Sequence, residues 1–230
     1  MVRSALVSVF VTVIGTVLAV IVTGMMAYVL YRKDFKFRKV ITYYIFFTML
    51  FSGGMVPSYI INTQVLHLGD TLWILFLPSL CVGWNVIILR TFFTQSIPDS
   101  LVEAAHIDGA GEATTFFKII LPLAAPGLAT IGLFSMIGFW NDWLTGLLYI
   151  NNANLQPLQV MLEKIESNLE YLKANATLAA STEGVRQALE TPSDSVRMGL
   201  AVIVMTPIIF AYPFFQRYFI QGLTIGSVKG

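Results

Sequence analysis

The chain has 230 residues, of which 56% are hydrophobic and 12% charged, and its formal net charge is +1. A mean hydropathy of +0.74 exceeds what a soluble domain of this size needs to fill one core, and near-neutral charge excludes a nucleic-acid surface, which needs Lys and Arg clustered on one face. The lone Cys81, in an apolar run, excludes a disulfide framework or a Cys-rich metal site and reads as a packed thiol.

Five apolar runs are long enough to cross a hydrocarbon layer, which takes about 20 helical residues: 5–31, 40–61, 71–93, 123–150 and 196–220. The expected fold is therefore all-α, a polytopic membrane bundle of five transmembrane helices in one domain, 1–230. The first run is too long for a cleavable signal, and its basic cluster follows rather than precedes it. That cluster, Arg32, Lys33, Lys36, Arg38 and Lys39, contrasts with the turn around His67, which has no Lys or Arg. The positive-inside bias makes the basic turn cytoplasmic. Alternation then puts Met1, His67 and the stretch 151–196 outside, and the loop 94–122 and the end with Arg217 and Lys229 inside.

Trp84 and Asn85 fall inside the third run. Polar groups at membrane depth are costly unless they face a cavity or a partner helix, so Asn85 is a pathway candidate or helix glue. In the loop that follows, Pro98 suits a first helical turn and Asp99 places negative charge near the positive end of the dipole. Ser100 and Glu103 have capping-box spacing. Gly109 can take positive φ and end the helix sharply. A second helix, 112–120, carries Phe116, Phe117, Ile119 and Ile120 beside Lys118 until Pro122 breaks it. His106 and Asp108 have no further ligand at metal spacing and read as solvated polar positions.

Trp140, Asn141, Asp142 and Trp143 occupy the outer part of the fourth run. Aromatic faces stack on pyranose C–H faces and amides exchange hydrogen bonds with hydroxyls, so Trp84, Asn85, Trp140, Asn141 and Trp143 are substrate-path candidates. Interfacial belt residues and interhelical Asn have the same appearance. Asp142 reads as a cap or a pair near the outer surface. After Pro157, Leu158, Met161, Leu162, Ile165, Leu169 and Leu172 follow helical spacing among charges, predicting an amphipathic helix, with a short second helix over 182–189. That helix lies on the bilayer, packs on its own spans, or meets an external binding protein. Pro207 and Pro213 are expected to kink the last span.

No Gly-x-x-x-x-Gly-Lys-Ser/Thr loop occurs, so the chain supplies no conventional ATP site. No Ser, His and Asp stand at a recognisable catalytic spacing, and an enzyme is not expected.

The loop 94–122 holds Glu103-Ala104-Ala105, three residues, Gly109, nine residues, Ile119, one residue, then Leu121-Pro122. This spacing resembles the cytoplasmic coupling loop of binding-protein-dependent ABC importer permeases. Gly138 to Trp143 and the closing Gln216-Arg217-Tyr218-Phe219, Gly222-Leu223-Thr224 and Gly226 to Gly230 are similar to carbohydrate permeases of the maltose-transporter type, and 155–159 to their oligosaccharide branch. The resemblance implies that Glu103, Ala104, Ala105, Gly109, Ile119, Leu121 and Pro122 couple to a separate ATPase subunit, although Glu103 also reads simply as a helix cap and alanine is simply the best helix former. It further implies ATP and Mg held by that partner and no cofactor in this chain. The other implied partners are a second homologous permease forming a heterodimer, an external solute-binding protein, a sugar substrate and the bacterial inner membrane, where the chain is multi-pass. Such permeases usually carry one more span upstream, so the sequence is expected to be an N-terminally incomplete copy or to start at an internal Met. The rivals are an ion-coupled secondary transporter, which needs carboxylates or His buried mid-membrane, and a non-transport membrane scaffold.

Overall fold

The computed structural model describes residues 1–174 and 193–226, which are helical and contain no strand. The first helix, α1 (Val2–Tyr31), has 30 residues and is about 45 Å long at 1.5 Å per residue. Its buried face is made of small and hydroxyl side chains, Ser4, Ser8, Thr12, Gly15, Ala19, Thr23 and Ala27, at three- and four-residue intervals. In lipid, where apolar contact alone gives little drive, such residues let neighbouring backbones approach. A Cβ at Gly15 would lie 3.0 Å from Phe139 Cε2 and 3.1 Å from Phe76 Cβ. This spine packs along α4 (Gly83–Ser96) and α7 (Ala125–Asn141).

The second, third and fourth runs are broken rather than continuous. Among the described residues, α1 is the one helix that is both unbroken and apolar enough to cross a membrane by itself. The second run divides into α2 (Arg38–Leu50) and α3 (Met55–Ile60, continued by a π turn Ile61–Val65), bent by 114°. The break is at Gly53-Gly54, where Gly54 has φ 88°, a conformation that glycine takes without steric cost. The third run divides into two short 3₁₀ turns (Leu72–Leu75 and Leu77–Ser79) and α4, bent by 49°. Cys81 lies in that break and is exposed, not packed.

The fourth run begins and ends differently from expectation. α6 (Glu112–Leu123) does not break at Pro122; it continues to Leu123 and meets α7 at an 84° bend centred on Ala124. A π segment, Thr115–Ile120, precedes the proline, and its wider turn relieves the clash between a proline ring and the carbonyl four residues back. α7 stops at Asn141, and a separate short helix, α8 (Leu144–Tyr149), follows. Asp142 Oδ1 accepts the Thr145 N–H at 3.0 Å and so caps α8.

The amphipathic α9 (Leu158–Ala174) forms after Pro157, with Leu158, Val160 and Leu162 buried against its own spans. The expected helix 182–189 lies outside the described residues. α10 (Ser193–Gly226) is one continuous helix containing both Pro207 and Pro213.

Contacts sort to the two ends of α1. At its start, Arg3 Nε donates to the Asn154 carbonyl at 3.1 Å and the Leu158 N–H donates to Ser8 Oγ at 2.8 Å. Asp70, itself at φ 57°, accepts the Asn151 and Asn152 N–H groups at 2.7 and 2.8 Å and joins the His67 turn to that end. At its finish, Tyr28 to Lys33 meet the loop 94–122.

Candidate functional site: the elbow at 97–123

The elbow is a short helix, a turn and a second helix. Pro98 is the N-cap of α5 (Asp99–Ile107), one residue earlier than the first-turn position, and the Ser100–Glu103 capping box does not form. Asp99 does sit in the first turn, where it ion-pairs with Lys33. That contact holds the Asp99 carboxyl below its ordinary range.

α5 ends in a Schellman arrangement, with the Gly109 N–H on the His106 carbonyl (3.0 Å) and the Ala110 N–H on the Ala105 carbonyl (2.9 Å). Gly109 has φ 78° and open space around it, so the reversal rests on backbone freedom alone.

The helix has two faces. Val102 and Ala105 are buried towards the spans, Val102 in a cluster with Tyr28, Tyr31, Phe93 and Phe116. Leu101, Glu103, Ala104 and Ile107 are exposed, Ile107 by 86%. Of the later motif residues, Ile119 and Leu121 are half-buried, Leu121 against the same cluster, and Pro122 is exposed.

A charge cluster that spacing did not reveal joins the elbow to α1. Arg32 Nη2 lies 2.6 Å from Asp34 Oδ2 and 3.2 Å from Glu112 Oε1. Arg32 Nη1 lies 3.0 Å from His106 Nε2, while Tyr28 Oη donates to Glu112 Oε2 at 2.7 Å. The Arg32 side chain is only 12% exposed. Its guanidinium is pushed further towards the charged form, chiefly by the hydrogen bond to Asp34, and the Asp34 carboxyl is held down to about 2 by the same contact. His106 is exposed, as a solvated polar position would be, and it also borders this network, 3.2 Å from Glu112 Oε1. The partners lie 74 and 80 positions away in the chain, too far for any motif to flag. A cavity of about 420 Å³ opens beside these contacts, lined by Tyr31 to Asp34, Asp99, Val102, Glu103 and His106 among others.

The substrate-path candidates do not converge. Trp140 is 4% exposed, packed with Leu158 and Leu162, and its Nε1–H donates to the Val204 carbonyl at 3.0 Å. Asn85 is buried near the start of α4, beside Val86 of the inner cluster, whereas Trp84 next to it is 60% exposed. Asn141 and Trp143 are exposed at the far end of α7. Among the described residues no group of His, Cys, Asp and Glu could hold a metal ion.

The chain is similar to permeases of bacterial transport systems. The chain is 40% identical over 228 residues to the polygalacturonan/rhamnogalacturonan transport system permease protein YtcP of Bacillus subtilis (strain 168), covering 99% of this chain and 77% of that one. It is 29% identical over 233 residues to the arabinooligosaccharides transport system permease protein AraQ of Halalkalibacterium halodurans, covering 97% of this chain and 72% of that one. Among solved structures, a bacterial ABC transporter involved in the import of the acidic polysaccharide alginate superposes with a TM-score of 0.79 at 33% identity, covering 94% of this chain and 74% of its counterpart. Residues 15–225 match the model of the binding-protein-dependent transport system inner membrane component, and the chain belongs to that family.

Proposed function

We propose that the chain is the permease subunit of an ATP-driven importer of sugars or oligosaccharides, and that its elbow is the seat of a separate ATPase subunit on the cytoplasmic side. The observation that carries this reading is the outward face of α5, where Glu103, Ala104 and Ile107 are exposed while Ala105 is buried beneath them. A small residue at the centre of an uncovered helix lets a partner close on the backbone. ATP and Mg belong to that partner. Hydrolysis moves the elbow, and the spans alternate between inward-open and outward-open states.

The bent pairs α2 with α3 and the 3₁₀ turns with α4 each cross the membrane as one broken span, α7 crosses while α6 stays in the elbow, and with α1 and α10 this makes five. Broken segments are tolerated at membrane depth where they line a cavity or are covered by protein. α2 and α3 with its π turn bury a single side chain, Ile45. Their remaining apolar surface supports a second homologous permease that closes the path. An external solute-binding protein delivers substrate to the end where Asp70, Asn151 and α9 meet. The oligosaccharide class is supported by the named substrates of YtcP and AraQ.

The test is reconstitution in liposomes with the second permease, the ATPase subunit and the solute-binding protein, measuring ATP hydrolysis against a panel of uronic-acid and neutral oligosaccharides. Stimulation by at least one sugar is the expected result. Uptake without ATP, driven by an ion gradient, would replace this reading with a secondary carrier.

A further inference from the structure

We propose that Arg32 and Lys33 lock the elbow to α1, so that the two move as one body and α1 carries the ATPase stroke to the opposite side of the membrane. This rests on the permease reading above. The argument begins at the ends of α5. At its first turn, Lys33 pairs with Asp99, and Tyr31 Oη donates to the Ile97 carbonyl at 3.1 Å. At its last turn, Arg32 reaches His106 at 3.0 Å, and beyond the turn it reaches Glu112 at 3.2 Å. Between them Val102 packs into the cluster that contains Tyr28 and Tyr31, and its other side borders the cavity. A helix held at both ends and beneath has no free hinge against the element that holds it.

Arginine is suited to this place. Its planar fork engages Asp34, His106 and Glu112 from one centre, which a lysine ammonium cannot do with the same geometry. The other end of the same helix is fixed to the outer side by Ser8 on the Leu158 N–H and Arg3 on the Asn154 carbonyl. Because α1 is unbroken, displacement at Arg32 reaches α9 without loss at a bend.

Two measurements test it in the reconstituted importer. In the first, Arg32→Gln should leave ATPase co-purification and basal ATP hydrolysis intact while sugar stimulation falls at least about fivefold, the lower end of ordinary coupling between sites. Adding Glu112→Gln to that variant should change nothing more, and Arg32→Lys should restore part of the stimulation. In the second, Lys33→Cys with Asp99→Cys in a Cys81→Ser background is bridged by a short bis-thiosulfonate. Transport should continue at the unbridged rate, because parts that move together can be tied.

Full stimulation in Arg32→Gln overturns the proposal. So does its loss together with the ATPase subunit, which would make Arg32 a docking contact, or a transport arrest by the bridge that reducing agent reverses. If the unaltered complex shows no sugar stimulation, the importer reading itself has failed.

Discussion

Ala104 and Ala105 are neighbours in sequence and face opposite ways: Ala105 is buried under the elbow and Ala104 is exposed. The pair therefore separates the fold from the partner. Ala105→Leu should overpack the inner side and cost about 1–3 kcal/mol, read as a lower unfolding temperature in detergent. Ala104→Leu should leave that temperature unchanged and weaken co-purification with the ATPase subunit. Equal thermal losses in both variants would contradict the two-faced reading.

Gly109 has room for a side chain but not the backbone for one. Placing an L-residue at φ 78° costs roughly 1–2 kcal/mol. Gly109→Ala should thus speed hydrogen exchange across α5, whereas Gly109→Asn, which tolerates this conformation better, should do so less. Identical exchange in wild type and Gly109→Ala would show that the turn does not hold the helix end.

Close packing makes a further pair of glycines distinguishable. A Cβ at Gly146 would fall 2.5 Å from Val160 Cγ2 and 3.0 Å from Pro157 Cδ, while one at Gly138 meets nothing within 4 Å. Gly146→Ala should loosen α8 from α9 at a cost of about 1–3 kcal/mol. Gly138→Ala should be neutral or slightly stabilising, since alanine is the better helix former. Thermal unfolding of the two variants side by side decides the matter.

Acid should act on the Lys33–Asp99 tie in a defined direction. The folded carboxyl of Asp99 is depressed by Lys33, so its contribution is complete above the unfolded value of about 4 and disappears as pH falls through the folded one. Asp34, held down to about 2, follows the same sign. After correction for intrinsic rates, hydrogen exchange in α5 should be flat between pH 5 and 8 and accelerate below about 4. Asp99→Asn should shrink that acid limb to the part Asp34 supplies; an undiminished limb would assign the effect to another carboxylate.

Local chemistry made much of this molecule legible. Gly109 announces a reversal, and Pro157 followed by apolar spacing announces α9. What stayed hidden depends on distance or on small energies. Glu112 and His106 gave no sign of Arg32 because nothing in spacing pairs residues that far apart. The bends at Gly54 and Ala124 were invisible to a hydropathy window, which counts apolar residues and does not see direction. Pro122 misled, because a π segment upstream can absorb a proline that an α-turn would not. The small-residue face of α1 was readable in principle from its three- and four-residue intervals.

The most direct measurement is the sidedness of Ala104. In a Cys81→Ser background, Ala104→Cys should react with a membrane-impermeant maleimide only from the cytoplasmic side, and addition of the ATPase subunit should protect it. Reaction from the external side, or undiminished reaction in the assembled complex, would contradict the account at its centre.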